Sequence, residues 1–447
     1  MRNIQILIVT LIIFILGIFA GKVITVQQPI TSLAIMFSAI AAIVTFLRPE
    51  AGLLGLLVAM LFSPEFMVGG AAIAERAVTI RASDMLIIAI GFGWMAKLAI
   101  KKELGMLVRT PITRQIIIFS IIITLATLQG ILLGTVIPQR GFLFLLKRLQ
   151  YFLIFFMVIN NIRTENGARL GTLLFLVAGV IIAIVGIAQQ ILYRGAEVTA
   201  GGITSTFGVG EANTLGGFLV LELLLIICLF RIYRNPRARL LLCGAFLIVF
   251  YSLLLTHSRG SYISFAVAIV AISFLTKRAR VAVTVFAVIV IAVIMAPREI
   301  TEEIASIRGV IPGLGVRAPS WDARVDAARA SIPKIIKYPV LGTGVSSVRL
   351  DAIDIQYFHE ARETGLIGLG GFLFLLLSIY RMGFRLTKDS KDIFIETFGI
   401  AFLGGLIGLL VHSFTSATFY TIRTMEPFWF LTGLAAVLCM KMEEVQG

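Results

Sequence analysis

The chain has 447 residues, of which 59% are hydrophobic and only 14% charged, and its mean hydropathy is +1.00. That balance excludes a soluble globular protein and matches a helical protein with many membrane spans. The formal charge of +15 does not point to nucleic acid, because the excess lysines and arginines sit in short clusters between apolar runs, as on the cytoplasmic side of a membrane protein.

A spanning helix needs roughly 20 mostly apolar residues. Runs near 4–20, 29–47, 51–68, 83–99, 114–134, 140–159 and 167–190 fit that template, and so do runs near 214–231, 239–255, 261–276, 280–296, 364–382, 393–412 and 427–441. The expected fold is therefore an all-α polytopic membrane protein with about 14 (12–14) spans. Arg2 and the apolar run after it resemble a signal peptide, but the run is long and further spans follow, so it reads as an uncleaved first helix. Cys228, Cys243 and Cys439 fall inside apolar runs without metal or disulfide spacing and read as packing residues.

Basic clusters at Lys97–Arg114, Arg163–Arg169, Arg231–Arg239, Lys277–Arg280 and Arg381–Lys391 alternate with loops that are poor in cations. The bias places both termini in the cytoplasm and the long loop 297–363 outside it. The expected organisation is residues 1–296 with spans 1–11, 297–363 as an extracytoplasmic loop, and 364–447 with spans 12–14. In that loop nine basic residues face nine acidic ones, so it is close to neutral.

Ionisable residues that oppose this pattern are candidates for function. Arg259, in Thr256-His-Ser-Arg-Gly-Ser261, lies between two spans with almost no loop. A guanidinium beside Ser258, Gly260 and Ser261 suits phosphate oxygens. Lys147 and Arg148 fall inside the sixth run and Glu222 in the eighth, and they fit either snorkelling with a structural Lys–Glu pair or a functional site. In the loop, Arg324 opens a segment in which Val325, Ala328, Ile332 and Ile335 recur at helical spacing. It reads as an amphipathic helix on the membrane surface, bent near Pro333. Pro339-Val-Leu-Gly-Thr-Gly344 reads as a turn whose glycines allow close backbone approach. Next, Asp354, Gln356, Tyr357, His359, Arg362 and Glu363 crowd the stretch before a helix expected to begin near Gly365. That density fits acid–base work or a polar helix start with a surface ion pair, and His359 and Glu363, four apart, can share a helix face. No cluster has metal-ligand spacing, and there is no nucleotide loop or hydrolase nucleophile motif, so no metal or nucleotide cofactor is expected.

Four runs in order resemble the O-antigen ligase and polymerase superfamily of bacterial membrane glycosyltransferases. They are Thr204-Ser-Thr-Phe-Gly208 with Asn213 and Gly216-Gly217; Leu253-Leu-Leu-Thr-His-Ser-Arg-Gly260; Arg324 fifteen residues before Pro339 and its glycine turn; and Asp354-Ile-Gln-Tyr-Phe with Glu363-Thr-Gly-Leu-Ile-Gly368. The resemblance spans about 204–370 and implies a C-type glycosyltransferase-like fold and a metal-independent transferase on the outer face of the inner membrane. It implies a glycan on undecaprenyl pyrophosphate as donor and a hydroxyl of lipid A-core, or of another lipid-linked glycan, as acceptor, with membrane lipid as the other partner. By carry-over Arg259 and Arg324 would hold the donor pyrophosphate, with Lys147 and Arg148 as further candidates, while Ser258, Tyr357, Glu363 and His412 would support the site or the acceptor. Where the family has its acceptor-side histidine this chain has Asp354, and the nearest histidine, His359, is five residues on. Either Asp354 or His359 would serve as the catalytic residue, and His412, in Val411-His-Ser-Phe-Thr, is a third candidate that also fits packing or hydrogen bonding. The acceptor separates ligase from polymerase, and the sequence leaves both open. A transporter of the intact lipid-linked glycan is the rival from another class, although the chain shows no inverted repeat.

Overall fold

The computed structural model describes residues 49–62, 65–68, 78–101, 108–192, 212–276, 319–348 and 353–446. The expected spans near 4–20, 29–47 and 280–296, and the run 204–208, lie outside the described residues. The described chain is helical apart from one pair of short strands. Its helices are α1 (Pro49–Phe62), α2 (Ala82–Lys101), α3 (Thr113–Leu132), α4 (Pro138–Asn161), α5 (Glu165–Leu192) and α6 (Ala212–Leu229). They continue with α7 (Pro236–Leu254), α8 (Arg259–Thr276), α9 (Pro319–Lys337), α10 (Gln356–Lys388), α11 (Ile393–His412) and α12 (Ile422–Gln446). Among the described residues nine helices are long and apolar enough to cross a membrane, so the chain is a multi-pass membrane protein.

One expected span is corrected. The run 51–68 is helical only to Phe62, and Glu65–Val68 is a strand paired antiparallel with Val78–Arg81. Pro64 has no backbone N–H to continue a helical ladder. Elsewhere local chemistry sets the ends as expected. Pro138 and Pro236 occupy first-turn positions of α4 and α7, Asn235 accepts the Arg237 amide, and Asp392 accepts the amides of Phe394 and Ile395.

Helices α6, α11 and α12 form the centre, with 83%, 78% and 89% of their spanning windows buried. Helix α11 packs against α6, α8 and α10, while α3 packs on α10 and α4 on α12. Small residues permit that closeness: a Cβ on Gly404, Gly405 or Gly408 would press on Ile272, Leu221 or Val220, the kind of contact that drives helix association in lipid. The outer helices present Leu132, Leu240, Leu241 and Phe274 outward, as a lipid-facing surface requires.

The element that positions the site is a broken helix. Helix α10 begins at Gln356, nine residues earlier than expected, and is interrupted at Gly365, with φ 70° and ψ −173°. The break frees backbone groups that membrane-embedded chain must satisfy elsewhere, and the turn after α9 satisfies them. Thr343 and Gly344 amides donate to the carbonyls of Arg362 and Glu363 at 2.9 and 2.8 Å, and the Leu366 and Ile367 amides donate to those of Pro339 and Val340 at 2.7 and 3.4 Å. Gly342 and Gly344 have φ of 68° and 92°, and a Cβ on Gly342 would stand 2.6 Å from the Arg362 oxygen. Two sequence motifs, one a glycine turn and one a helix start, are thus one interlocked piece.

Candidate active site

At the end of the bundle where this piece sits, two polar clusters flank the segment 353–364. The first gathers the run Thr256–Ser261 at the start of α8. Ser258 Oγ donates to Asn213 Oδ1 at 2.7 Å and lies 2.7 Å from Ser261 Oγ, which is 3.0 Å from His412 Nε2. His412 Nδ1 lies 2.8 Å from Thr418 Oγ1, so the buried ring is bound on both sides. Gly216 and Gly217 of α6 make the space, since a Cβ on Gly216 would stand 2.1 Å from Ser261 Oγ and one on Gly217 3.5 Å from the His412 ring. Gly260 is pressed against Thr415, which sets Arg259 at the first position of α8 beside the α11 terminus.

Arg324, on α9, donates through Nε to Asp354 Oδ2 at 2.9 Å. The Gln356 amide donates to the Ser413 carbonyl oxygen at 3.0 Å, which fastens the segment carrying Asp354 to the end of α11, next to His412. Asp354 remains 39% exposed at its side chain and Arg324 20%, so both can meet a substrate. Tyr357 points the other way: its hydroxyl donates to the Leu410 carbonyl at 2.9 Å and its ring packs on Phe414, making it a strut against α11.

The second cluster holds Lys147, Arg148, His359 and Glu363. Arg148 Nη2 donates to Glu360 Oε2 at 2.5 Å, and its guanidinium lies over the Tyr420 ring, 4.2 Å from the centroid. Tyr420, in the short 3₁₀ turn Thr418–Tyr420, donates to Glu360 Oε2 and shares a bond with Glu363 Oε2 at 3.0 and 3.1 Å. Burial pushes the Tyr420 phenol well above its ordinary range; Arg148 opposes that, and Glu360 and Glu363 add to it. The hydroxyl is therefore a donor throughout the physiological range. His359 is fully buried, stacked on Tyr420, with Nε2 3.4 Å from Glu363 Oε1. Glu363 Oε1 accepts the Ser346 amide at 2.8 Å, which holds Ser346 at a φ of 73°, a region non-glycine residues rarely occupy.

The Lys–Glu pair expected from the sequence does not form as drawn. Lys147 pairs with Asp84, whose other oxygen accepts from Gln150, while both Glu222 oxygens are buried and without a hydrogen-bond partner among the described residues. Lys147 and Arg148 thus meet carboxylates of the second cluster, whereas Arg324 and Asp354 belong to the first. Among the described residues no three His, Cys, Asp or Glu side chains gather for a metal ion.

Sequence reasoning missed Glu360 and Tyr420, the residues that tie the second cluster together. Glu360 sits beside His359 in the polar run, and Tyr420 ends a stretch of hydroxyl residues, Ser413 to Thr421, between two spans. That density of hydroxyls was the available signal.

No curated protein matches the chain. The family model described as O-antigen ligase matches residues 244–411. The matched stretch includes Arg259, Arg324, Asp354, His359 and Glu363 and stops one residue before His412, leaving Arg148 and Tyr420 outside it. Residues 244–411 are thus similar to the O-antigen ligase family, in line with the resemblance read from the sequence.

Proposed function

We propose that this protein is a metal-independent glycosyltransferase that moves a glycan from undecaprenyl pyrophosphate to a hydroxyl of lipid A-core at the outer face of the inner membrane. The observation that carries the reading is the Arg324–Asp354 pair at 2.9 Å, on a segment whose Gln356 amide bonds the Ser413 carbonyl next to the cluster of Ser258, Ser261 and His412. It sets the Arg324 guanidinium on a carboxylate that can take a proton, with Arg259 at the start of α8 as the second cation of the reading. The acceptor oxygen attacks the anomeric carbon, the bond from that carbon to the pyrophosphate oxygen breaks with its electron pair, and the acceptor proton passes to Asp354. Arg259 and Arg324 stabilise the charge that grows on the leaving pyrophosphate. The lipid pyrophosphate bond supplies the driving force, so no nucleotide enters.

Asp354 is favoured over His359 as the acceptor-side base. The carboxylate is part-exposed beside Arg324, whereas the imidazole is fully buried behind Tyr420 and Glu363. Asp354 is paired with Arg324, and a pyrophosphate that claims the guanidinium leaves the carboxylate to the acceptor hydroxyl.

The test is transfer of a radiolabelled glycan from undecaprenyl pyrophosphate by the purified protein, with lipid A-core in one tube and donor alone in another. Product on lipid A-core is expected, with turnover falling by about 10²–10⁴ in Asp354→Asn and transfer lost in Arg259→Ala. A ladder from donor alone would make it a polymerase. Donor bound through Arg259 but never cleaved would replace the transferase with a transporter.

A further inference from the structure

Helix α10 starts without the usual local device for fixing the entry of the chain. Its N-cap is Ile355, which makes no side-chain cap bond, where Ser, Thr, Asp or Asn would ordinarily accept a first-turn amide. This entry carries Asp354, and a reacting carboxylate has to be held within about 0.5 Å of its productive geometry. The Asp354 side chain is 39% exposed, so packing does not hold it. Beyond it on the helix side, the Gln356 amide donates to the Ser413 carbonyl and the Phe419 amide to Gln356 Oε1, both at 3.0 Å. Ahead of it stands buried Ile353. The Ile353 carbonyl oxygen is met at 3.3 Å by a side chain six residues on, through Nδ1 of His359. A carbonyl only accepts, so Nδ1 carries a proton and donates it.

That bond falls on a particular peptide. The Ile353 carbonyl and the Asp354 amide are two halves of one planar unit, so holding the oxygen fixes the plane from which the Asp354 side chain departs. The ring that does the holding has little freedom of its own. It is fully buried, lies on the Tyr420 ring with centroids 4.2 Å apart, and sets Nε2 3.4 Å from Glu363 Oε1. Glu363 is tied in turn by the Ser346 amide at 2.8 Å and the Tyr420 hydroxyl at 3.1 Å. The imidazole therefore carries the rigidity of the second cluster across to residue 353.

We infer that His359 is a positioning residue for Asp354, clamping the Ile353–Asp354 peptide to the buried second cluster. With Arg324 bound at 2.9 Å, the carboxylate is held at both its tip and its backbone. Once a phosphate claims that guanidinium, the backbone hold is what keeps the carboxylate aimed. This last step rests on the glycosyltransferase reading, whereas the clamp rests on the bonds themselves.

The test compares the full chain with its variants His359→Asn, His359→Gln and His359→Leu. The asparagine amide nitrogen takes the place of Nδ1, the glutamine amide nitrogen falls where Nε2 stood, and leucine fills space without a donor. In the radiolabelled-glycan assay His359→Asn should keep kcat within about threefold of wild type, while His359→Gln and His359→Leu lose about tenfold, as expected for one lost hydrogen bond. KM for the donor should hold in all of them, since Arg259 and Arg324 are untouched. Hydrogen–deuterium exchange of peptides containing Asp354 and Ile355 reads the clamp without turnover: it should match wild type in His359→Asn and quicken about tenfold in the other two. Asparagine as slow as leucine would make the imidazole itself part of the chemistry, and leucine as fast as wild type would reduce it to packing. Either result overturns the inference, as does equal exchange in all four proteins. The expected exchange pattern in a protein that transfers nothing would instead sink the glycosyltransferase reading and leave the clamp standing.

Discussion

Gly365→Ala tests whether the interlocked turn and broken helix hold the site together. The φ 70°, ψ −173° combination at Gly365 is essentially confined to glycine, and a side chain there costs about 1–3 kcal/mol in backbone strain. An added Cβ would stand 2.2 Å from the Val340 carbonyl oxygen and 2.7 Å from the Gly342 nitrogen, and backbone atoms cannot rotate out of the way. The turn must therefore move, and the bonds from the Leu366 and Ile367 amides to Pro339 and Val340 go with it, at about 0.5–1.5 kcal/mol each. The combined loss of about 2–6 kcal/mol corresponds to a factor of about 30 to 3 × 10⁴ in local opening. Hydrogen–deuterium exchange of the purified protein, followed by mass spectrometry of peptides covering 339–348 and 366–370, reads that factor directly. Gly370→Ala is the control: nothing lies within 4 Å of its Cβ position, and in a helix interior alanine gains up to about 1 kcal/mol. Exchange in Gly365→Ala within about threefold of wild type would refute the idea that the turn is docked by this glycine.

Gly216→Ala should lower glycan transfer at least tenfold, because its Cβ would lie 2.1 Å from Ser261 Oγ, and Ser261→Gly in the same protein should restore part of the loss; no rescue would place the defect elsewhere. Gly179→Ala drives a Cβ to 2.4 Å from the Glu222 carboxyl carbon, so a double-mutant cycle with Glu222→Ala, followed by thermal unfolding in detergent, should show coupling of about 0.5–3 kcal/mol; additivity would mean the two do not meet. Glu222→Met alone should raise the unfolding midpoint, since both carboxylate oxygens are buried and unpartnered among the described residues. For Tyr420 the folded phenol is pushed upward by burial, so only the unfolded chain ionises first as pH rises through about 10. Its stabilising contribution is complete below that pH and declines above it, so unfolding midpoints at pH 8 and 10.5 should fall less in Tyr420→Phe than in wild type. Equal declines would show that the hydroxyl is not held neutral.

The spans were legible because apolar length leaves few alternatives, and the described helices follow the hydropathy closely, from Thr113–Leu132 to Ile422–Gln446. The run 51–68 misled because composition cannot separate a short helix followed by a strand from one continuous span, and Pro64 was the only local warning. The glycines of 339–344 were legible as points of close approach, but what they approach was not. The carbonyls of Arg362 and Glu363 become available only because the helix breaks at Gly365, and a helix start expected near Gly365 gave no sign that 356–364 is helical as well. Glu222 and Lys147 looked like partners because each was an isolated charge in a span; Asp84, at the start of another helix, was closer in space and could not be found by scanning.

The same piece of backbone explains why two candidates for one role appeared five residues apart. Residues 353–364 form a partition. Asp354, just ahead of the helix, pairs with Arg324, while His359, Glu360 and Glu363 turn toward Arg148 and Tyr420. Thr418 and Tyr420, two residues apart in one 3₁₀ turn, bind the two sides together, the first through His412 and the second through both glutamates. Charge then sorts the work. Under the proposed reading Arg324 serves the leaving pyrophosphate, while on the other side Arg148 and Lys147 are already matched by Glu360 and Asp84. On this reading Asp354 and His359 are not competitors for the acceptor proton. His359 keeps to the side of Arg148 and Tyr420, and under the proposed reading a donor that claims Arg324 leaves Asp354 to the acceptor hydroxyl.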